Sequence, residues 1–130
     1  MIKKYLSLNK KNMITKIIIK GVVHGLNGKH GLIREHYRTA KMKKDLYTTL
    51  IKGQTKNKHT GKVIIRYIGY KIVLMDWDNF AASFKHIGDS LVAAGIIVDD
   101  KPAIVTEFLP NQIKISKRDQ QRIEVIIEDV

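Results

Sequence analysis

The sequence has no cysteine, only two prolines, and 7% aromatic residues in a chain of 130. The lack of cysteine excludes disulfides and thiolate metal sites. The apolar run over residues 14–23 is interrupted by Lys16 and Lys20 and is much shorter than the roughly 20 residues that span a bilayer. We therefore expect a cytoplasmic protein that makes no membrane contact.

Acidic residues are almost absent from the first part of the chain. Residues 1–75 contain 18 Lys and Arg but only Glu35 and Asp45 as acids, whereas residues 76–130 contain six basic and ten acidic residues. This asymmetry, with a formal net charge of +12, indicates a surface that binds a polyanion. Nucleic acid is the leading candidate, because neutralised phosphates release counterions. On charge alone, a cationic protein without such a partner is the alternative.

Length and hydrophobic content, 130 residues and 44%, predict one globular domain over residues 13–130 behind a flexible basic arm over residues 1–12. The expected fold class is α/β (α+β), with a small mixed β-sheet and two main helices. Periodicity predicts strands over residues 14–23, 103–109 and 122–127, and helices over residues 35–52 and from about 79 to 94. Residues 62–75 are either one bent strand or a hairpin, with a bulge or bend at Gly69. Asp78 or Asn79 is expected to cap the second helix and Gly95 to end it.

Four carboxylates lie close together in the sequence, at Asp76, Asp78, Asp99 and Asp100. Crowded carboxylates raise each other's pKa, and a bound divalent cation removes that penalty. If Asp76 and Asp78 extend the preceding strand, their side chains point to the same face. The following helix and a short strand over residues 96–98 would then return Asp100 to their side. Taken separately, these pairs are also typical of a helix cap and a loop.

The complete pattern is more specific than its parts. Asp76-x-Asp78-Asn79, then Lys85, Asp89-x-Leu91 and Gly95-x-x-x-Asp99-Asp100 closely resembles the signature of RusA-type Holliday-junction resolvases. The resemblance is by residues over 76–100 and by layout over most of the chain. It implies a RusA-like nuclease domain that forms homodimers and uses Mg²⁺, with Mn²⁺ as a possible substitute. Its substrate would be a four-way DNA junction, cut by paired symmetric nicks, and no small-molecule substrate is expected.

The resemblance also implies roles for individual residues. Asp76, Asp78 and Asp100 would be catalytic metal ligands in phosphodiester hydrolysis, and Asp99 would assist them as a ligand. Lys85 would be the essential lysine. The family usually places this lysine three residues after the asparagine, where this chain has Ala82. Lys85 instead comes six residues after Asn79, although its distance of four residues from Asp89 matches the family.

Basic residues are expected to hold the junction arms through phosphate contacts, which position DNA without reading its sequence. The candidates are Arg34, Arg38, Lys41, Lys44, Lys101, Lys114, Lys117 and Arg118. Two other functions remain open. One is a nucleic-acid-binding protein without catalysis, and the other is a metal-dependent nuclease that acts on other branched, flap or single-stranded DNA.

Overall fold

The computed structural model describes residues 12–21 and 37–130, which form a small mixed α+β domain of the predicted class. The predicted arm, apart from residue 12, and the candidate Arg34 lie outside the described residues. In the described part, no helix is long and apolar enough to cross a membrane. Its elements are β1 (Ile14–Lys20), α1 (Tyr37–Gln54), β2 (Val63–Lys71), α2 (Trp77–Ala82), α3 (Lys85–Ala93), β3 (Val105–Lys114), a short 3₁₀ helix (Arg118–Gln120) and β4 (Arg122–Asp129).

The four strands form one sheet in the order β1-β4-β2-β3. β4 runs antiparallel to both β1 and β2, whereas β2 and β3 are parallel. Parallel neighbours require a crossover connection, which α2 and α3 supply. Residues 62–75 therefore contain a single strand, β2, and not a hairpin.

One face of the sheet carries the core. The alternation of side chains along β1 places Ile17 and Ile19 on this face, beside the buried Ile123, Val125 and Ile127 of β4. The helices cover the same face with a set of fully buried apolar side chains, Ile51, Phe80, Ile87 and Leu91. The apolar residues of the second predicted helix recur at helical spacing, and Phe80, Ile87 and Leu91 among them form its core-facing side, so the domain has two layers.

The second predicted helix is divided into α2 and α3, which is a correction. α2 begins at Trp77 with Asp76 as its N-cap residue, so Asp78 and Asn79 lie inside the first turn and do not cap it. The interruption falls at Ser83, whose Oγ lies 2.8 Å from the Tyr67 hydroxyl. This contact with β2 is tertiary, so the helical periodicity of the sequence does not reveal it. Gly95 ends the segment with a φ of +76°, as predicted.

The expected bulge at Gly69 is wrong. Gly69 pairs regularly with both neighbouring strands, and the register of β2 shifts between Val63 and Ile64 instead. Gly69 is required for another reason, because a Cβ built on it would lie 2.7 Å from a ring carbon of Phe80. The absence of a side chain at Gly69 lets the Phe80 ring of α2 lie directly on the sheet.

Two further predictions of strands need correction. Residues 96–98 form turns, although Ile96 and Ile97 are buried. β3 runs to Lys114 and not to residue 109. Pro110 does not end it, because β3 is an edge strand and the N–H that proline lacks is not needed for pairing on the open side of the sheet. The loss of the short strand over residues 96–98 affects the candidate site directly.

A chain of hydrogen bonds around the buried Thr15 and His59 joins the loop before β2 to β1 and β4. Asn57 Nδ2 donates to Thr15 Oγ1 at 3.0 Å, and that hydroxyl lies 2.7 Å from His59 Nε2. His59 Nδ1 lies 2.6 Å from Asp129 Oδ1. With the proton on Nδ1, every donor in this chain meets an acceptor. The backbone N–H of His59 also donates to the carbonyl of Ile96 at 2.8 Å, which anchors the segment that leads to Asp99.

Glu124 is a second buried polar group, on the sheet face opposite the helices. Its carboxylate accepts from Arg122 Nε at 2.8 Å and lies 3.1 Å from Lys16 Nζ. Burial raises the pKa of Glu124, but the hydrogen bonds from Arg122 and Lys16 outweigh it and hold the pKa below the usual range. Glu124 therefore stabilises the folded chain in its ionised form.

Glu124→Gln is expected to lower the free energy of unfolding at pH 7 by about 2 kcal/mol, because it removes charge-assisted hydrogen bonds at a buried position. A depressed folded-state pKa contributes stability above the unfolded pKa of about 4.3 and loses it as the pH falls through the folded value. The difference between wild type and variant should therefore shrink below about pH 4.3 in urea unfolding experiments. The exposed substitution Glu107→Gln is the control, and a pH-independent Glu124→Gln effect would contradict the assignment.

Candidate functional site

Asp76 and Asp78, called here the strand-end carboxylates, follow the carboxyl end of β2. The connecting segment is held by Gln112 of β3, which accepts from Met75 N–H at 2.8 Å and donates to its carbonyl at 2.9 Å. The backbone carbonyl of Asp76 accepts a hydrogen bond from the backbone N–H of Phe80. Both carboxylates are exposed. They belong to the start of α2 and not to an extended strand, so the predicted same-face strand geometry is not formed.

Asp99 and Asp100, the loop carboxylates, come just before β3. The backbone N–H of Asp100 donates to Asp99 Oδ1 at 2.7 Å, and this bond, with Lys101 Nζ 3.4 Å from Asp99 Oδ2, holds the pKa of Asp99 below its usual range. Burial raises the pKa of Asp100, and a side-chain hydrogen bond with Asp99 and the charge of Asp89 raise it further. The two neighbours therefore differ in protonation tendency, as paired carboxyl groups often do.

Asp89 connects the loop carboxylates to the basic helix α1. Its Oδ2 lies 3.0 Å from Lys44 Nζ of α1 and 4.0 Å from Lys85 Nζ. The Lys85 side chain is 62% exposed, so the predicted essential lysine lies at the surface with Asp89 as its nearest charged partner in the described part. Lys85 thus belongs to the group around Asp89 and not to the strand-end carboxylates.

The strand-end and loop carboxylates lie at opposite ends of the sheet. Met75 is bonded to Gln112, near the end of β3, whereas the carbonyl of Lys101 accepts from Val105 N–H, at the start of the same strand. The stretch of β3 between Val105 and Gln112 spans about 23 Å at the usual rise per residue. The helical crossover carries the chain back to this far end, and no strand over residues 96–98 returns it.

Magnesium fits these residues by chemistry but not as one four-carboxylate site. Within residues 12–21 and 37–130, no group of three or more His, Cys, Asp or Glu side chains could hold a metal ion. Mg²⁺ prefers oxygen ligands, and it is often held by one or two carboxylates together with water and substrate phosphates. Each carboxylate pair provides that smaller number. A site that uses Asp76, Asp78 and Asp100 together does not exist in this arrangement.

The residues predicted to contact DNA lie in two groups, one at each end of the sheet. Arg38, Lys41 and Lys44 lie on α1, and Lys101 adjoins the loop carboxylates. Lys114 ends β3, and Lys117 and Arg118 follow it into the 3₁₀ helix, towards the strand-end carboxylates. Each pair of carboxylates is therefore accompanied by cations from separate parts of the chain.

A cleft of about 320 Å³, called here the basic cleft, extends the cationic surface beyond the predicted residues. It lies between the end of α1 and the segment after α3, and its lining is Lys52, Thr55, Lys56, Lys58, Ala94 and Ile96. The three lysines are exposed, and no carboxylate of the described residues pairs with them. Lys52, Lys56 and Lys58 are close in the sequence, but only the fold shows that they converge on one concave surface.

Two residues at the strand end have a burial that their residue types do not suggest. Lys71 is only 3% exposed, although it is charged, and Trp77 is 57% exposed, although it is the largest apolar side chain. The burial pattern of a strand could have indicated Lys71, since it falls in phase with Val63, Ile65 and Tyr67 of β2. Nothing in the sequence distinguishes an exposed tryptophan from a buried one.

A comparison of the chain with protein-family models finds no match, and neither does a comparison with curated proteins. The functional argument therefore depends on the charge distribution, the residue pattern over 76–100 and the geometry described above.

If nucleic acid lies along the basic cleft, replacing Lys52, Lys56 and Lys58 by glutamine should weaken DNA binding and its salt dependence together. Each phosphate contact contributes about 0.9 to the magnitude of the slope of log affinity against log salt for duplex DNA. The slope of the triple variant should therefore be shallower than that of wild type by about 2 to 3. Fluorescence anisotropy on a labelled duplex between about 50 and 200 mM salt measures this. Arg66→Gln, an exposed cation on β2, is the control, and an equal slope in wild type and triple variant would exclude the cleft from the DNA path.

Proposed function

We propose that this chain is a metal-dependent endonuclease of the RusA type, which resolves four-way DNA junctions by paired symmetric nicks. The proposed setting is DNA recombination and repair in the cytoplasm of a bacterial or phage-infected cell. Paired nicks on opposing strands need two active sites, so the proposal includes a homodimer.

The observation that carries the proposal is the contact between the acidic pattern and the basic helix. Lys44 of α1 pairs with Asp89 of α3 at 3.0 Å, and Asp89 acts electrostatically on Asp100. Residues of the resolvase-like pattern thus border a helix that also carries Arg38 and Lys41. A phosphate backbone held by this helix would run past the loop carboxylates, as a nuclease requires.

The proposed reaction is hydrolysis of a phosphodiester bond that leaves 5′-phosphate and 3′-hydroxyl ends. When bound to a carboxylate pair, Mg²⁺ would supply an acidified water and neutralise phosphate charge. Lys101, which pairs with the loop carboxylate Asp99, and Lys85, which lies beside Asp89, are both exposed and would contact phosphate oxygens. The lowered pKa of Asp99 favours the ionised form that a cation needs, whereas burial raises the pKa of Asp100.

A second candidate, a junction- or DNA-binding protein without catalysis, is favoured by one specific observation. The strand-end and loop carboxylates do not converge, and the described residues contain no three-ligand metal group. Under this candidate the basic surface binds DNA, and the carboxylates keep their structural bonds within α2 and the loop before β3.

We expect wild type to nick a labelled four-way junction in Mg²⁺ or Mn²⁺, and Asp100→Asn, in the carboxylate pair nearest the basic helix, to lower the nicking rate by about 100-fold or more. Asp78→Asn tests the strand-end pair in the same assay, and a loss of that size in Asp78→Asn alone would place the cation there instead. Neutral amides keep the shape of the side chains but lose the charge that binds a cation. Binding of the junction, measured by gel shift in Ca²⁺, should remain within about twofold of wild type, because neither carboxylate contributes favourably to phosphate contacts. Denaturing gels of both labelled strands report whether the nicks are symmetric.

Asp45→Asn is the matched control, since Asp45 is an exposed aspartate on α1 whose Oδ2 lies 3.3 Å from Lys41 Nζ. It should nick at the wild-type rate. Junction binding without any nicking by wild type in either metal would establish the non-catalytic candidate. Equal nicking of a Y-fork and a four-way junction would instead indicate a nuclease with broader specificity for branched DNA.

A further inference from the structure

Lys71 is a buried charge with no counterion among the described residues. It is 3% exposed at the end of β2, and burial lowers its pKa. No carboxylate of the described residues forms an ion pair with it, and its Nζ instead lies 5.9 Å from the centre of the Phe80 ring. A cation–π contact at this distance is weak compared with the penalty of burying an ammonium group. Lys71 therefore lacks a partner that would stabilise its charged form.

A second cation lies beside Lys71 on the next strand. Lys114 of β3 is paired in register with Lys71, so the two side chains leave the same face of neighbouring strands about 4.8 Å apart. Like charges in this position repel each other. The 3₁₀ helix that follows β3 adds Arg118 at the same end, and β2 contacts this helix. An anion between the strands would relieve the repulsion.

The location is the carboxyl end of the parallel strand pair, where ligands commonly bind in α/β sheets. Phe80 connects Lys71 to the strand-end carboxylates, because its ring faces Lys71 Nζ and its backbone N–H donates to the carbonyl of Asp76 at 2.9 Å. A ligand on Lys71 would thus lie near the start of α2.

We propose that Lys71 and Lys114 bind a phosphate group at the carboxyl ends of β2 and β3, next to Asp76 and Asp78. The identity of this phosphate as a DNA phosphodiester rests on the proposed function, whereas the site itself does not. A lysine that only packed its stem against Phe80 would stabilise the fold and show no preference for anions. A phosphate-binding lysine instead destabilises the ligand-free protein.

Thermal unfolding with inorganic phosphate as the probe separates these two roles. In phosphate-free buffer, Lys71→Met should raise the Tm by about 4 °C, because methionine fills a similar volume without the buried charge. Phosphate at constant ionic strength, adjusted with chloride, should raise the Tm of wild type and of Lys71→Arg. It should raise the Tm of Lys71→Met by less than half as much. Arg66→Met, on the same strand but the opposite face, is the control and should keep the full phosphate response.

Two results would overturn the proposal. One is a lower Tm for Lys71→Met in phosphate-free buffer, which marks a structural residue. The other is a phosphate response that is absent from wild type or equal in Lys71→Met.

The junction assay forms a separate arm, in which Lys71→Met should lower nicking at least tenfold and Lys71→Arg should retain most of it. If wild type does not nick, the nuclease function fails, but the phosphate response still decides the site. Wild-type nicking by Lys71→Met with a lost phosphate response would mean that the site takes free phosphate and not the DNA backbone.

Discussion

Parallel pairing of β2 with β3 is the constraint on which the rest of the structure depends. Two parallel neighbours can be joined only by a crossover that leaves the end of the first strand and returns to the opposite end of the sheet. α2 and α3 form this crossover between β2 and β3. Residues that follow β2 and residues that precede β3 consequently lie at opposite ends of the sheet. Asp76 and Asp100 stand at these two positions, so the strand direction itself separates them. The same crossover presses Phe80 onto Gly69 and buries the stripe of α3.

The two ends of the sheet differ in how their charged side chains are paired. At the loop end, Lys44 pairs with Asp89 and Lys101 pairs with Asp99. At the strand end, Lys71 and Lys114 face each other without a carboxylate between them, and Asp76 and Asp78 point into solvent. The loop end therefore contains these ion pairs, whereas Lys71 and Lys114 at the strand end have no ion-pair partner among the described residues. Unsatisfied, partly buried charge is more often a mark of ligand binding than of stability.

The candidate site was predictable in its residue types but not in its assembly. Asp76, Asp78, Asp99 and Asp100 stand out in the sequence because they are acids in a basic chain. Their convergence was inferred from a short strand over residues 96–98, and that segment forms turns because Ile96 bonds to His59 and not to a neighbouring strand. Lys85 was identified from its spacing to Asp89, and the structure does bring these two residues near each other. Lys71 lies in phase with the buried side chains of β2, but a lysine at the end of a strand is ordinarily exposed, so the alternation alone does not predict its burial.

The sequence by itself determined the features that depend on backbone geometry over a few residues. These are the alternating burial of β1 and β4, the apolar stripe of the second helix, the left-handed stop at Gly95 and the separation of basic and acidic halves. Only the tertiary structure decided the helix break at Ser83, the contact of Gly69 with Phe80, the distance between the two carboxylate pairs and the burial of Lys71. Periodicity follows from local dihedral angles, whereas these contacts depend on which strands pair and in which direction, and residues far apart in the chain decide that.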